Sequence, residues 1–119
     1  MSALRVILVE DEPLVAMMME DLLAELGCEI AGSFGALAPA MDWLAAQDTP
    51  PDGAVLDVNL GGGETVRTLA WALRERGVPF VFATGYGALP DEDFPDAPLL
   101  HKPVDSGKLW PAVRAFGAD

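Results

Sequence analysis

The chain has 119 residues, of which 19 are acidic and 7 basic, for a formal net charge of -12, and 51% are hydrophobic. That length suits one domain with one core and leaves no room for a second, while the apolar content excludes a disordered chain. The charge excludes free nucleic acid and anionic membrane as direct partners, so any output through DNA needs another protein. No window is long enough to span a bilayer, and the opening MSALRVILVEDE lacks the apolar stretch and cleavage context of a signal peptide, so a cytoplasmic protein is expected.

In chain order, Leu4 to Val9 is a short, mostly β-branched run, too apolar for a strand with one solvated face, which predicts a central parallel strand covered on both sides. From Pro13 to Leu26 apolar residues recur every three or four positions, with Pro13 suited to a first turn and Gly27 to a stop, which predicts a helix. Cys28 to Gly32 reads as a second strand. The lone Cys28, which can form no intrachain disulfide, reads as core beside Ile30. Ala36 to Ala46 reads as a helix with Leu37, Met41 and Leu44 toward the sheet and Trp43 at its edge, and Gly53 to Asp57 as the third strand. After the glycines 61–63, Thr65 to Arg76 reads as a helix closed by Gly77, and Pro79 to Ala83 as the fourth strand. The stretch GYGALPDEDFPDAP has two internal prolines and four acids, which limits it to a helical turn or two and marks it as a candidate mobile segment. Leu99 and Leu100 carry a fifth strand. Ser106 to Phe116 reads as a last helix interrupted by Pro111.

Alternating strands and helices with right-handed crossovers predict an α/β fold, a flavodoxin-like (βα)5 doubly wound parallel sheet of order 2-1-3-4-5 with a weak or shortened fourth helix. In that order the first and third strands are neighbours, so Glu10 and Asp11 meet Asp57 at one sheet edge. Thr84 and Lys102 follow the next two strands. Three converging carboxylates repel one another unless a cation neutralises them, and Mg²⁺, with Mn²⁺ as a substitute, suits an all-oxygen site to which the Asn59 carbonyl would add a ligand. Asp57 stands alone on the middle strand and is the candidate nucleophile for an acyl phosphate, with Glu10 and Asp11 as metal holders. Lys102 would neutralise the transferring oxygens and Thr84 would donate to them. There is no GxxxxGK[ST] run, so a phosphoryl group must arrive from a donor that already carries it.

The motifs VILVEDE, DVNL, FATG and HKP, with spacings of 46, 27 and 18 residues from Asp11 to Asp57 to Thr84 to Lys102, make the chain resemble a receiver domain of the bacterial two-component response regulators over nearly its whole length. The resemblance implies that Glu10 and Asp11 bind metal, Asp57 accepts the phosphoryl group, Thr84 is the switch hydroxyl and Lys102 contacts the phosphate. PFVFATGYG is similar to the Phe-Ala-Thr-Gly-Tyr subtype of alphaproteobacterial single-domain regulators, which implies a sensor histidine kinase of the HWE or HisKA2 class as partner. The position three before the lysine, usually an aromatic switch, is Leu99 here, and the subtype points to Tyr86 in its place. Blander readings are available: a helix-capping role for Glu10, Asp11 and Glu12, a turn role for Thr84, a structural or exposed His101, and packing roles for Met17 to Met19 and for Trp43, Trp71 and Trp110. Two functions compete, a phosphorylated switch or phosphate sink and a phosphate-independent adaptor. A hydrolase would need a further acid-base residue and a cap.

Overall fold

The computed structural model describes residues 3–58, 60, 66–85 and 94–117. Five strands, β1 (Arg5–Val9), β2 (Glu29–Phe34), β3 (Gly53–Asp57), β4 (Phe80–Thr84) and β5 (Leu99–His101), form one parallel sheet of order β2-β1-β3-β4-β5. The helices are α1 (Pro13–Glu25), α2 (Leu37–Ala46), α3 (Arg67–Glu75) and α4 (Ser106–Phe116). The topology is the expected one. The weak fourth helix was expected within residues 85–98, of which 86–93 lie outside the described residues, as do the glycines 61–63, Thr65 and Asn59. No helix of the described residues is long and apolar enough to cross a membrane.

The two-residue alternation of the strands divides the core into two layers. Ile7, Val9, Ala54, Leu56, Phe80 and Phe82 face α2 and α3 through Ala40, Leu44, Leu69, Ala70 and Leu73. Val6, Leu8, Val55, Val81 and Ala83 face α1 and α4 through Met19, Leu23, Leu109, Ala112, Val113 and Phe116. Both faces of β1, β3 and β4 are therefore covered, which is why Val6 to Val9, Gly53 to Leu56 and Phe80 to Ala83 carry no polar side chain.

The helix boundaries follow from local chemistry. Gly27 and Gly77, at φ 87 and 74, take the left-handed conformation that ends α1 and α3. Each end closes with the same pair of hydrogen bonds, Gly27 N to Ala24 O and Cys28 N to Leu23 O, and Gly77 N to Arg74 O and Val78 N to Leu73 O. The Cys28 amide is consumed in that cap, so β2 starts at Glu29, one residue later than expected, and runs to Phe34, two residues beyond the expected end. Asp105 accepts from the Lys108 amide at 2.9 Å and starts α4, which continues through Pro111. Pro111 does not break it, because Leu109 on one side and Ala112, Val113 and Phe116 on the other are all held against the sheet. Arg76, just past α3, donates to the carbonyls of Leu44 at 2.7 Å and Gln47 at 2.8 Å and satisfies the end of α2.

Cys28 is buried, and desolvation pushes its thiol pKa up. The neutral thiol is thus favoured in the folded state. Its contribution to stability is complete below the ordinary thiol pKa and is lost as pH rises toward the raised value. Cys28 should therefore react with a disulfide reagent at pH near 8.5, the ordinary thiol pKa, at least tenfold more slowly in native protein than in urea, as read by mass or absorbance.

Candidate phosphoryl-acceptor site

The site lies at the carboxyl edge of the sheet. Val9 pairs with Leu56, so Glu10, the next residue, comes level with Asp57, the last residue of β3. The Glu10 amide donates to the Phe34 carbonyl at 2.9 Å, which extends the pairing of β1 with β2 by one step and fixes the acid at the strand end. Glu10 and Asp57 are buried, whereas Asp11 is half-buried. An oxygen from each of the three lies within 4.8 Å of the others. Lys102 enters from beyond β5: its amide donates to the Thr84 carbonyl at 2.7 Å and the Lys102-Pro103 peptide is cis.

The Lys102 ammonium sits 2.6 Å from Glu10 Oε1 and 3.4 Å from Asp57 Oδ1. Its first partner is thus Glu10, a pairing the sequence did not reveal. Burial pulls the lysine pKa down, but the hydrogen bond to Glu10 and the charges of Asp57 and Glu10 outweigh it and hold the pKa above the ordinary lysine value. Lysine is therefore charged throughout the neutral range. Its contribution to stability is complete below the ordinary lysine pKa and lost only as pH rises through the raised one.

Three carboxylates and one ammonium sum to -2, a deficit that one divalent cation cancels. The all-oxygen donor set fits a hard divalent ion, and the acidic cluster can coordinate one. Glu12, by contrast, is exposed and offers its amide to Glu10 Oε2 at 3.2 Å. The Glu12 side chain makes no cap bond at the start of α1.

Thr84, the last residue of β4, is fully buried, and its hydroxyl finds no hydrogen-bond partner among the described residues. Asp57 pairs with Ala83, one residue away. Leu99 pairs with Phe82, one alternation below Thr84, and is half-buried against the α2 and α3 layer. Asn59 and Tyr86 lie outside the described residues. His101 is exposed.

No family model matches the chain, and no curated protein does. Among solved structures it is similar to SdrG from Sphingomonas melonis Fr1, with 42% identity over 98% of both chains and a TM-score of 0.83. The chain belongs to the bacterial response-regulator receiver domains. The BeF3-activated conformation of SdrG from Pseudomonas melonis Fr1 is similar at 44% identity over 97% of this receiver and 98% of that chain, TM-score 0.77. The receiver domain of the PhyR response regulator of Erythrobacter litoralis follows at 27% identity, 97% and 90% coverage and TM-score 0.78. The likeness is thus to the SdrG type that carries the Phe-Ala-Thr-Gly-Tyr run. The receiver fold, the acidic cluster and the lysine contact are those of a phosphoaccepting switch, and membership implies a cognate sensor histidine kinase.

One expectation is corrected. The stretch from Gly85 to Pro98 reads from its prolines and acids as a candidate mobile segment. Phe94 is instead fully buried, 5.4 Å from Phe80, 5.9 Å from Phe82 and 4.7 Å from Trp71 between ring centroids. The Arg74 guanidinium lies 5.0 Å from its centroid. Residues 94–98 are anchored by that ring.

Proposed function

We propose that Asp57 takes a phosphoryl group from the phosphohistidine of a sensor kinase, and that the product is a surface switch or a sink that drains the kinase. A carboxylate oxygen of Asp57 forms the new bond to phosphorus, the histidine nitrogen-phosphorus bond breaks, and the imidazole nitrogen keeps the electron pair. Glu10, Asp11 and Asp57, with the Asn59 carbonyl, would hold Mg²⁺ or Mn²⁺, whose charge supports the transferring oxygens. Lys102 brings a second cation within reach of the same oxygens, and the Thr84 hydroxyl, without a partner among the described residues, gains an acceptor in the phosphoryl group. The observation that carries this reading is the combination of three clustered carboxylates with a half-buried lysine already 3.4 Å from Asp57. Incubation with a small phosphodonor and Mg²⁺, followed by intact mass, tests it: one added phosphoryl group supports the switch, and none with the fold intact supports a constitutive adaptor.

The surface beside the site fits a helix-borne histidine. Leu14, Met17 and Met18 project from α1 at 70%, 62% and 52% exposure, so of the three consecutive methionines only Met19 is core. A hollow of about 370 Å³ is lined by Met18 together with Val15, Met19, Gly85, Lys102, Pro103 and Val104. Likeness to SdrG and to PhyR, together with the Phe-Ala-Thr-Gly-Tyr run, supports a kinase of the HWE or HisKA2 class as the occupant of that surface. Met18→Glu should lower kinase-driven transfer by about tenfold or more, the effect of losing roughly 1.4 kcal/mol of contact. Phosphorylation by a small donor should be unchanged, and a parallel loss with both donors would remove the docking role.

A further inference from the structure

We infer that Phe94 couples the Thr84 end of β4 to the outer face of α3 through Trp71, so that the phosphoryl signal is read there. The inference rests on the phosphoryl-acceptor reading. By the alternation of β4, Thr84 falls on the same sheet face as Phe80 and Phe82, the two rings against which Phe94 packs. The segment is tied to β4 a second way, through the turn from Phe94 O to Ala97 N and the bond from Phe82 N to Pro98 O at 2.9 Å. Beyond Phe94 lies Trp71, 45% exposed on α3, and Arg74 spans the rings of Phe80 and Phe94.

A buried hydroxyl with no partner among the described residues is a standing penalty that new acceptor oxygens on Asp57, one strand away, relieve. Drawing Thr84 toward them shifts the end of β4. The close-packed rings behind it cannot absorb that shift smoothly, because packed cores move between discrete arrangements. On β5 the residue level with Phe82 is the aliphatic Leu99. The aromatic ring that backs β4 therefore comes from position 94, and the surface it moves is that of α3.

The wild-type protein is titrated with beryllium fluoride and Mg²⁺ while fluorine resonance reports the bound fluoride. The indole N–H resonance of Trp71, identified by its loss in Trp71→Phe, is followed in parallel. Expected is a Trp71 shift of more than its linewidth at saturation, absent in Phe94→Leu although fluoride binds there too. Bound fluoride with an unmoved Trp71 overturns the inference alone, as does a response that survives in Phe94→Leu. Absence of bound fluoride overturns the phosphoryl-acceptor reading and the inference with it. Should Phe94→Leu fail to fold, the wild-type titration still decides between a moving and a fixed Trp71.

Discussion

Asp57→Asn should gain no phosphoryl group from a small donor under conditions where the unsubstituted receiver gains one, because an amide has the shape of the carboxylate and none of its nucleophilicity. The fold should survive. Asn is isosteric, the backbone pairing of Asp57 with Ala83 is untouched, and Lys102 keeps its closer partner, Glu10 at 2.6 Å. The substitution also changes the local sum from -2 to -1, so affinity for a divalent cation should fall by about tenfold, a loss of roughly 1.4 kcal/mol of attraction. Intact mass, far-ultraviolet circular dichroism and a calorimetric Mg²⁺ titration check the three outcomes. Full phosphoryl incorporation in the substituted protein would move the acceptor elsewhere.

The fold was legible because its three central strands are buried on both faces. A run such as GAVLD, apolar up to a final acid, has one reading in a parallel sheet: a central strand whose last residue reaches the edge where ligands bind. The same logic placed Glu10, since VILV can be followed by an acid only where the covering helices stop. What escaped depended on neighbours distant in the chain. Phe94 stands among acids and prolines, and nothing nearby says that it is core. Its burial is decided by Phe80 and Phe82 on β4 and Trp71 on α3. The start of β2 was misplaced because Cys28 looks like a strand residue locally, while its amide is already committed to the end of α1. The preference of Lys102 for Glu10 over Asp57 is a matter of less than an ångström, which no spacing encodes.

Lys102→Met tests the electrostatic design of the site from the other side. Methionine keeps most of the aliphatic stem but leaves Glu10 and Asp57, whose side chains are 2% and 4% exposed, beside Asp11 without their cation. Breaking a buried ion pair in this way costs about 3–5 kcal/mol. The lysine side chain is itself 20% exposed, so water screens part of the effect and about 2–3 kcal/mol is the expected loss in urea unfolding with chelator present. The local sum becomes -3, and a divalent cation is then bound more tightly than by the unsubstituted receiver. Binding to the folded state alone returns about 2.7 kcal/mol at a concentration 100 times Kd, so saturating Mg²⁺ should recover most of the loss. Phosphoryl transfer from a small donor should persist, since Asp57 and the metal-holding acids remain, but the Trp71 response should weaken because the second cation no longer draws on the phosphoryl oxygens. Equal destabilisation with and without Mg²⁺ would show that Lys102 acts through its packing, and that the charge balance of the cluster does not govern the site.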